Sequence, residues 1–288
     1  AFHAFESGAW KKAFIYAQRA GEQAQALYSP RAVVEQCTRA LNATRHLDET
    51  GLDLIPVYHT RAHAFEILGE FEPARADYLQ VLDLARTQSA PQAEWQALLD
   101  LGFLWAARDA NSTQTYLEQA LYVARSLNEQ ATLARTLNRI GNWHAISLQP
   151  SRAFVLHQEA LKIFEMSNDD AGRAETLDLL GVPHLIGGDF VKSMEYYERA
   201  IPMWRTLGER RGLSSSLSAL AVCNSSYTGS IVITPPVTLQ ESVRHSEEAL
   251  ELAHEIDWRA GEMIAFSAMA IGLGGMGEYG RAFHAARQ

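Results

Sequence analysis

Gly188-Asp189-Phe190-Val191-Lys192-Ser193-Met194-Glu195-Tyr196-Tyr197-Glu198-Arg199-Ala200-Ile201 is the stretch whose reading decides the fold. A turn-forming Gly-Asp leads into an aromatic residue, after which Ser193, Tyr197 and Ala200 follow at offsets of four and three. Those offsets put the three on one face of a helix. The same phrase stands at Gly69-Glu70-Phe71, Ala74, Tyr78 and Val81-Leu82. Degenerate copies close on Ala40-Leu41, Ala120-Leu121, Ala160-Leu161 and Ala249-Leu250, and a last one opens at Gly277-Glu278-Tyr279 with Ala282. Successive closing residues from Ala40 through Val81, Ala120 and Ala160 to Ala200 are 41, 39, 40 and 40 apart. A fixed period of this size signals stacked supersecondary units.

A second phrase precedes each close by roughly 19 residues: Leu98, Leu101-Gly102 and Trp105; Leu137, Ile140-Gly141 and His144; Leu177, Leu180-Gly181 and His184. Its apolar spacing makes one face of a helix, and its glycine admits a close neighbour. Two phrases per period make a helical hairpin, in which the knob of the second helix enters the notch of the first. Pro30 and Pro73 suit the first turn of a second helix, while Ser29, Asp189 and Asn168-Asp169 suit caps and turns. Asn128-Glu129 and Ser167–Asp170 separate successive hairpins.

These residues resemble the tetratricopeptide repeat (TPR) family, in its lengthened variety of about 40 residues per repeat. The resemblance runs from about Trp10 onward and implies an all-α, right-handed superhelical solenoid of stacked antiparallel helix hairpins. The expected organisation is a single solenoid over residues 1–288, six to seven units long, forming part of a longer protein. One segment breaks the period. Ala221 and Ala249 are 28 residues apart, so an inserted irregular loop is expected within Ser225–Thr238, whose Ser230–Val237 core is β-branched and then proline-stopped.

Composition limits function. The chain carries 34 acidic and 25 basic residues for a net charge of −9, which opposes the phosphate attraction that nucleic-acid binding needs. Lys11-Lys12 and Arg210-Arg211 read as solvated exceptions. No apolar run suits a membrane span, and Cys37 and Cys223 read as separate buried thiols. Phosphate-loop, nucleophile-elbow and C-x-x-C motifs are absent. The expectation is a cytoplasmic chain with no cofactor, no metal and no enzymatic activity. His59 and His63 lie four apart with Glu66 beyond, a stripe that could ligate a metal, but the string H-T-R-A-H lacks the glutamate of a metalloprotease helix. Trp10, Trp105 and Trp143 occupy pattern positions and read as core wedges.

Counting one residue after and three before the corners Ala62, Gly102, Gly141 and Gly181 gives the expected groove lining: His59 and His63, Leu99 and Phe103, Asn138 and Asn142, Asp178 and Val182. Arg135 and Arg139 flank the asparagines, with Glu175 one unit on. Such a groove offers amide and guanidinium donors beside an apolar patch, suited to an extended peptide or an acidic ligand. Family members that clamp a chaperone's terminal carboxylate use lysines and an asparagine; Asn142 alone matches that set. The opening Gly8-Ala9-Trp10-Lys11-Lys12-Ala13 with Tyr16-Ala17, Arg19-Ala20-Gly21, Ala24 and Leu27-Tyr28 resembles the start of the repeat sensor in bacterial STAND-type signalling ATPases and related transcriptional regulators. That resemblance implies a sensor arm that binds a protein, a peptide or a small-molecule effector, behind an upstream nucleotide-binding domain. A free-standing scaffold binding a linear motif is the second reading, and a metal-dependent enzyme at His59/His63 the third.

Overall fold

The computed structural model describes residues 2–27, 29–47, 52–229 and 239–288. They form helices α1 (Phe2–Glu6), α2 (Trp10–Ala26), α3 (Pro30–Thr44), α4 (Ile55–Ile67), α5 (Phe71–Thr87), α6 (Pro91–Trp105), α7 (Ala110–Ser126), α8 (Gln130–Ile146), α9 (Pro150–Ser167), α10 (Asp170–Ile186), α11 (Phe190–Leu207), α12 (Arg210–Gly229), α13 (Leu239–Glu255), α14 (Arg259–Gly275) and α15 (Tyr279–Ala285). No strand occurs among the described residues. The chain divides into two compact units, Ala1–Asn128 and Glu129–Gln288.

In the first unit the hairpins α2/α3, α4/α5 and α6/α7 follow one another, each helix packing on the next. In the second the hairpins are α8/α9, α10/α11, α12/α13 and α14/α15. First helices also approach one another, α4 on α6 in one unit and α8, α10, α12 and α14 successively in the other. α2 and α4 lack this close approach.

Small residues dictate the packing. A Cβ placed on Gly102, Gly141 or Gly181 would stand 2.6, 2.6 or 2.5 Å from Leu117, His157 or Tyr197 respectively, so each notch holds the knob of its own second helix. The closing residues Ala40, Val81, Ala120, Ala160, Ala200 and Ala249 are all buried. A second set of notches joins consecutive hairpins: Phe164 fills the space over Gly172, and Trp204 that over Gly212. Turns use left-handed backbone, supplied by glycine at Gly69, Gly188 and Gly277 but by Leu148 (φ 57°) between α8 and α9. Asp109, Asp169 and Asp189 cap α7, α10 and α11 by accepting from backbone N–H groups.

The first residues of the segment expected to be irregular, Ser225–Gly229, are helical, because α12 continues to Gly229; residues 230–238 lie outside the described residues. Cys37 and Cys223 are free and buried, and burial pushes both thiols up to about 11. Among the described residues no helix is long and apolar enough to cross a membrane.

Candidate functional site

The gap between α2 and α4 is an open cleft of about 510 Å³. Gly21 sets its first wall. A Cβ there would lie 3.3 Å from Cys37 Sγ, so Gly21 is the notch of the α2/α3 hairpin and the residue after it, Glu22, turns toward the groove. Gln25 and Ala26 follow on the same stripe of α2. The facing wall is Thr60, His63, Ala64 and Ile67 of α4, and Ser29, Pro30 and Val33 at the start of α3 close the floor. The lining is mostly apolar, with hydroxyl, amide and imidazole groups from Ser29, Thr60, Gln25 and His63, and Glu22 is its one carboxylate. The volume lies in the range typical of ligand sites.

Of the expected lining, His63 is exposed in this cleft. His59, one turn earlier on α4, shares a 2.8 Å hydrogen bond with Asp100 of α6, which also accepts from Gln96 at 2.8 Å. Glu66 accepts the Tyr78 hydroxyl proton at 2.8 Å. Among the described residues no group of three or more His, Cys, Asp or Glu is placed to hold a metal ion. Phe103 is half-buried, whereas Leu99 is fully buried beside Leu98, so its expected place in the groove is corrected: the packing of α6 among its neighbouring helices makes that position core.

In the second unit Arg135, Arg139 and Glu175 are exposed, and Asn142, Asp178 and Val182 are partly buried. Arg135 reaches toward Asp169 at 4.0 Å. Asn138 is a second correction, being 2 % exposed. Its Nδ2 donates to Thr176 Oγ1 at 2.7 Å and its Oδ1 accepts from His157 Nδ1 at 3.1 Å. Thr176 Oγ1 in turn donates to the Gly172 carbonyl at 2.6 Å. The chain of donors fixes the asparagine amide and the histidine tautomer, and the contact of α8 with α10 uses up a side chain that the count from Gly141 assigned to the groove. Burial lowers the His157 imidazole to about 4, so it is neutral. Burial raises Asp178 to about 6, opposed by the Ser216 hydroxyl that donates to it at 2.6 Å and assisted by Glu175.

Sequence reasoning missed Glu22, Gln25 and Ala26. The signal was available: Gly21 lies 19 residues before Ala40, as Gly141 does before Ala160, and counting one residue on from it gives Glu22 as the same count from Ala62 gives His63.

No protein-family profile matches the sequence, nor does any curated protein. Solved structures do. The STAND protein with a tetratricopeptide repeat sensor from Pyrococcus horikoshii matches 93% of this chain and 43% of its own, at 14% identity and a TM-score of 0.66. Aspartyl phosphate phosphatase F from Bacillus subtilis matches 98% of this chain and 70% of its own, at 12% identity and a TM-score of 0.70. A Rap protein solved in complex with competence and sporulation factor matches 96% and 73%, at 15% identity and a TM-score of 0.64. At such identities the likeness is one of architecture: the chain has the fold of the tetratricopeptide-like helical-repeat proteins.

Proposed function

We propose that this chain is a non-catalytic repeat module that binds a protein or peptide partner along its first helices, as the sensor or interaction arm of a larger bacterial regulatory protein in the cytoplasm. The α2/α4 cleft carries the reading, because it gathers mostly apolar residues and a few polar groups from three helices, with Glu22 and His63 at the positions the repeat assigns to the groove. The likeness to a STAND repeat sensor and to a Rap protein holding a signalling factor supports the regulatory part, and an upstream nucleotide-binding domain goes with it. Within the second unit, Arg135, Arg139, Asn142, Glu175 and Asp178 give α8 and α10 a polar surface of their own. A photo-crosslinking residue introduced at His63 or at exposed Tyr122 of α7 tests the proposal in cells of the source organism. One dominant cross-linked partner at position 63 and none at position 122 is the expected result. Equal labelling at both would remove the groove from the account.

A further inference from the structure

Resting on the reading of the α2/α4 cleft as a peptide site, we propose that this cleft takes a basic side chain together with a bulky apolar neighbour from the partner peptide, with Glu22 holding the cation. Glu22 is the single charged residue in the lining. It forms no ion pair or hydrogen bond among the described residues, whereas the carboxylates around it are already engaged: Glu35 with Arg39, Asp77 with Arg61, Glu66 with the Tyr78 hydroxyl.

A lysine or arginine side chain brings three to five N–H donors and no acceptor. Its aliphatic stem would lie along Ala26, Val33, Ala64 and Ile67 while the charged head reaches Glu22, the usual behaviour of a long basic side chain on an apolar surface. A cleft of about 510 Å³ exceeds what one such side chain fills, which leaves room for an apolar neighbour on the Pro30 and Ile67 side. The net charge of −9 favours approach of a basic segment.

The test is titration of the isotope-labelled protein with N-acetyl-Phe-Arg-amide, N-acetyl-Phe-Glu-amide and phenethylammonium, following backbone amide resonances. The Phe-Arg probe is expected to move the amides of residues 22–26 and 60–67 and to bind at least tenfold more tightly than Phe-Glu. Glu22→Gln is expected to abolish that preference without moving the melting temperature, since Glu22 is exposed. Equal affinity for the two peptides, or a preference unchanged in Glu22→Gln, would overturn the assignment to a basic residue while the groove reading stands. Phenethylammonium binding as tightly as Phe-Arg would overturn the peptide as occupant in favour of a small free cation. If neither peptide moves these amides although a partner still cross-links at position 63, the inference fails and the partner-binding proposal survives.

Discussion

The imidazole of His157 lies flat in the notch of Gly141: a Cβ added to that glycine would stand 2.6 Å from His157 Cε1. His157 is fully buried and tied to Asn138, so the ring cannot swing away. Gly141→Ala is therefore expected to destabilise the protein by about 1–3 kcal/mol through overpacking. Gly274→Ala, in α14 with open space around the new methyl, is expected to stabilise by about 0.5–1 kcal/mol through helix propensity. Urea denaturation reads both, and shifts of the same sign would show that the notch is not what sets the register.

His157 and Asp178 give opposite pH dependences. The unfolded chain protonates a histidine near 6.5 and the folded chain only near 4, so stability is lost as pH falls through that window, by about 3 kcal/mol in full. Asp178 is protonated first in the folded state, near 6 against 3.8 when unfolded, so it adds stability as pH falls from 6 toward 4. The two contributions offset each other between pH 6 and 4. Asp178→Asn should expose a steeper loss on acidification than wild type shows, and His157→Gln a shallower one. Urea midpoints at pH 7 and pH 5 check this, and parallel profiles for all three proteins would contradict it.

How much the sequence showed depended on whether neighbours in space were also neighbours in the phrase. Gly141 and His157 belong to one hairpin, so the notch was readable from spacing. Phe164 over Gly172 and Trp204 over Gly212 join consecutive hairpins through an aromatic-to-glycine spacing of eight that recurs 40 residues on, a signal outside the two phrases that were read. Leu99 and Asn138 obeyed the groove count but are buried, Asn138 against Thr176 of the next first helix, and the distance between neighbouring helices is something periodicity does not encode. The cleft was missed because its lining comes from three helices, while the count began one hairpin late, at Ala62.

Leu148 holds a left-handed backbone, φ 57°, at the corner where the α4/α5 and α10/α11 hairpins use Gly69 and Gly188, and its side chain is exposed. A left-handed L-residue costs about 1–2 kcal/mol, part of which glycine returns through its freer unfolded chain. Leu148→Gly should stabilise by up to about 1 kcal/mol in thermal or urea unfolding. A loss of stability would mean that the leucine makes a contact worth more than the strain.

Arg61 makes two bonds to Asp77, at 2.7 and 2.8 Å, and a third to Thr38 Oγ1 at 3.0 Å, joining α3, α4 and α5. Asp77→Ala leaves the guanidinium without its counter-ion and should cost about 3–5 kcal/mol. The double change Arg61→Met with Asp77→Leu should cost less than Asp77→Ala alone, because no lone charge stays buried. A double-mutant cycle in urea decides it; strictly additive losses would show that the two side chains act independently.

The central claim is that the partner occupies the cleft between α2 and α4. Ala26 is exposed on its wall, so Ala26→Trp fills the space without disturbing the core. The deciding measurement is calorimetric titration of the partner captured at position 63 into wild type and Ala26→Trp, with melting curves for each. The account predicts at least a tenfold loss of affinity at an unchanged melting temperature. Full-strength binding to a normally folded Ala26→Trp protein would contradict it.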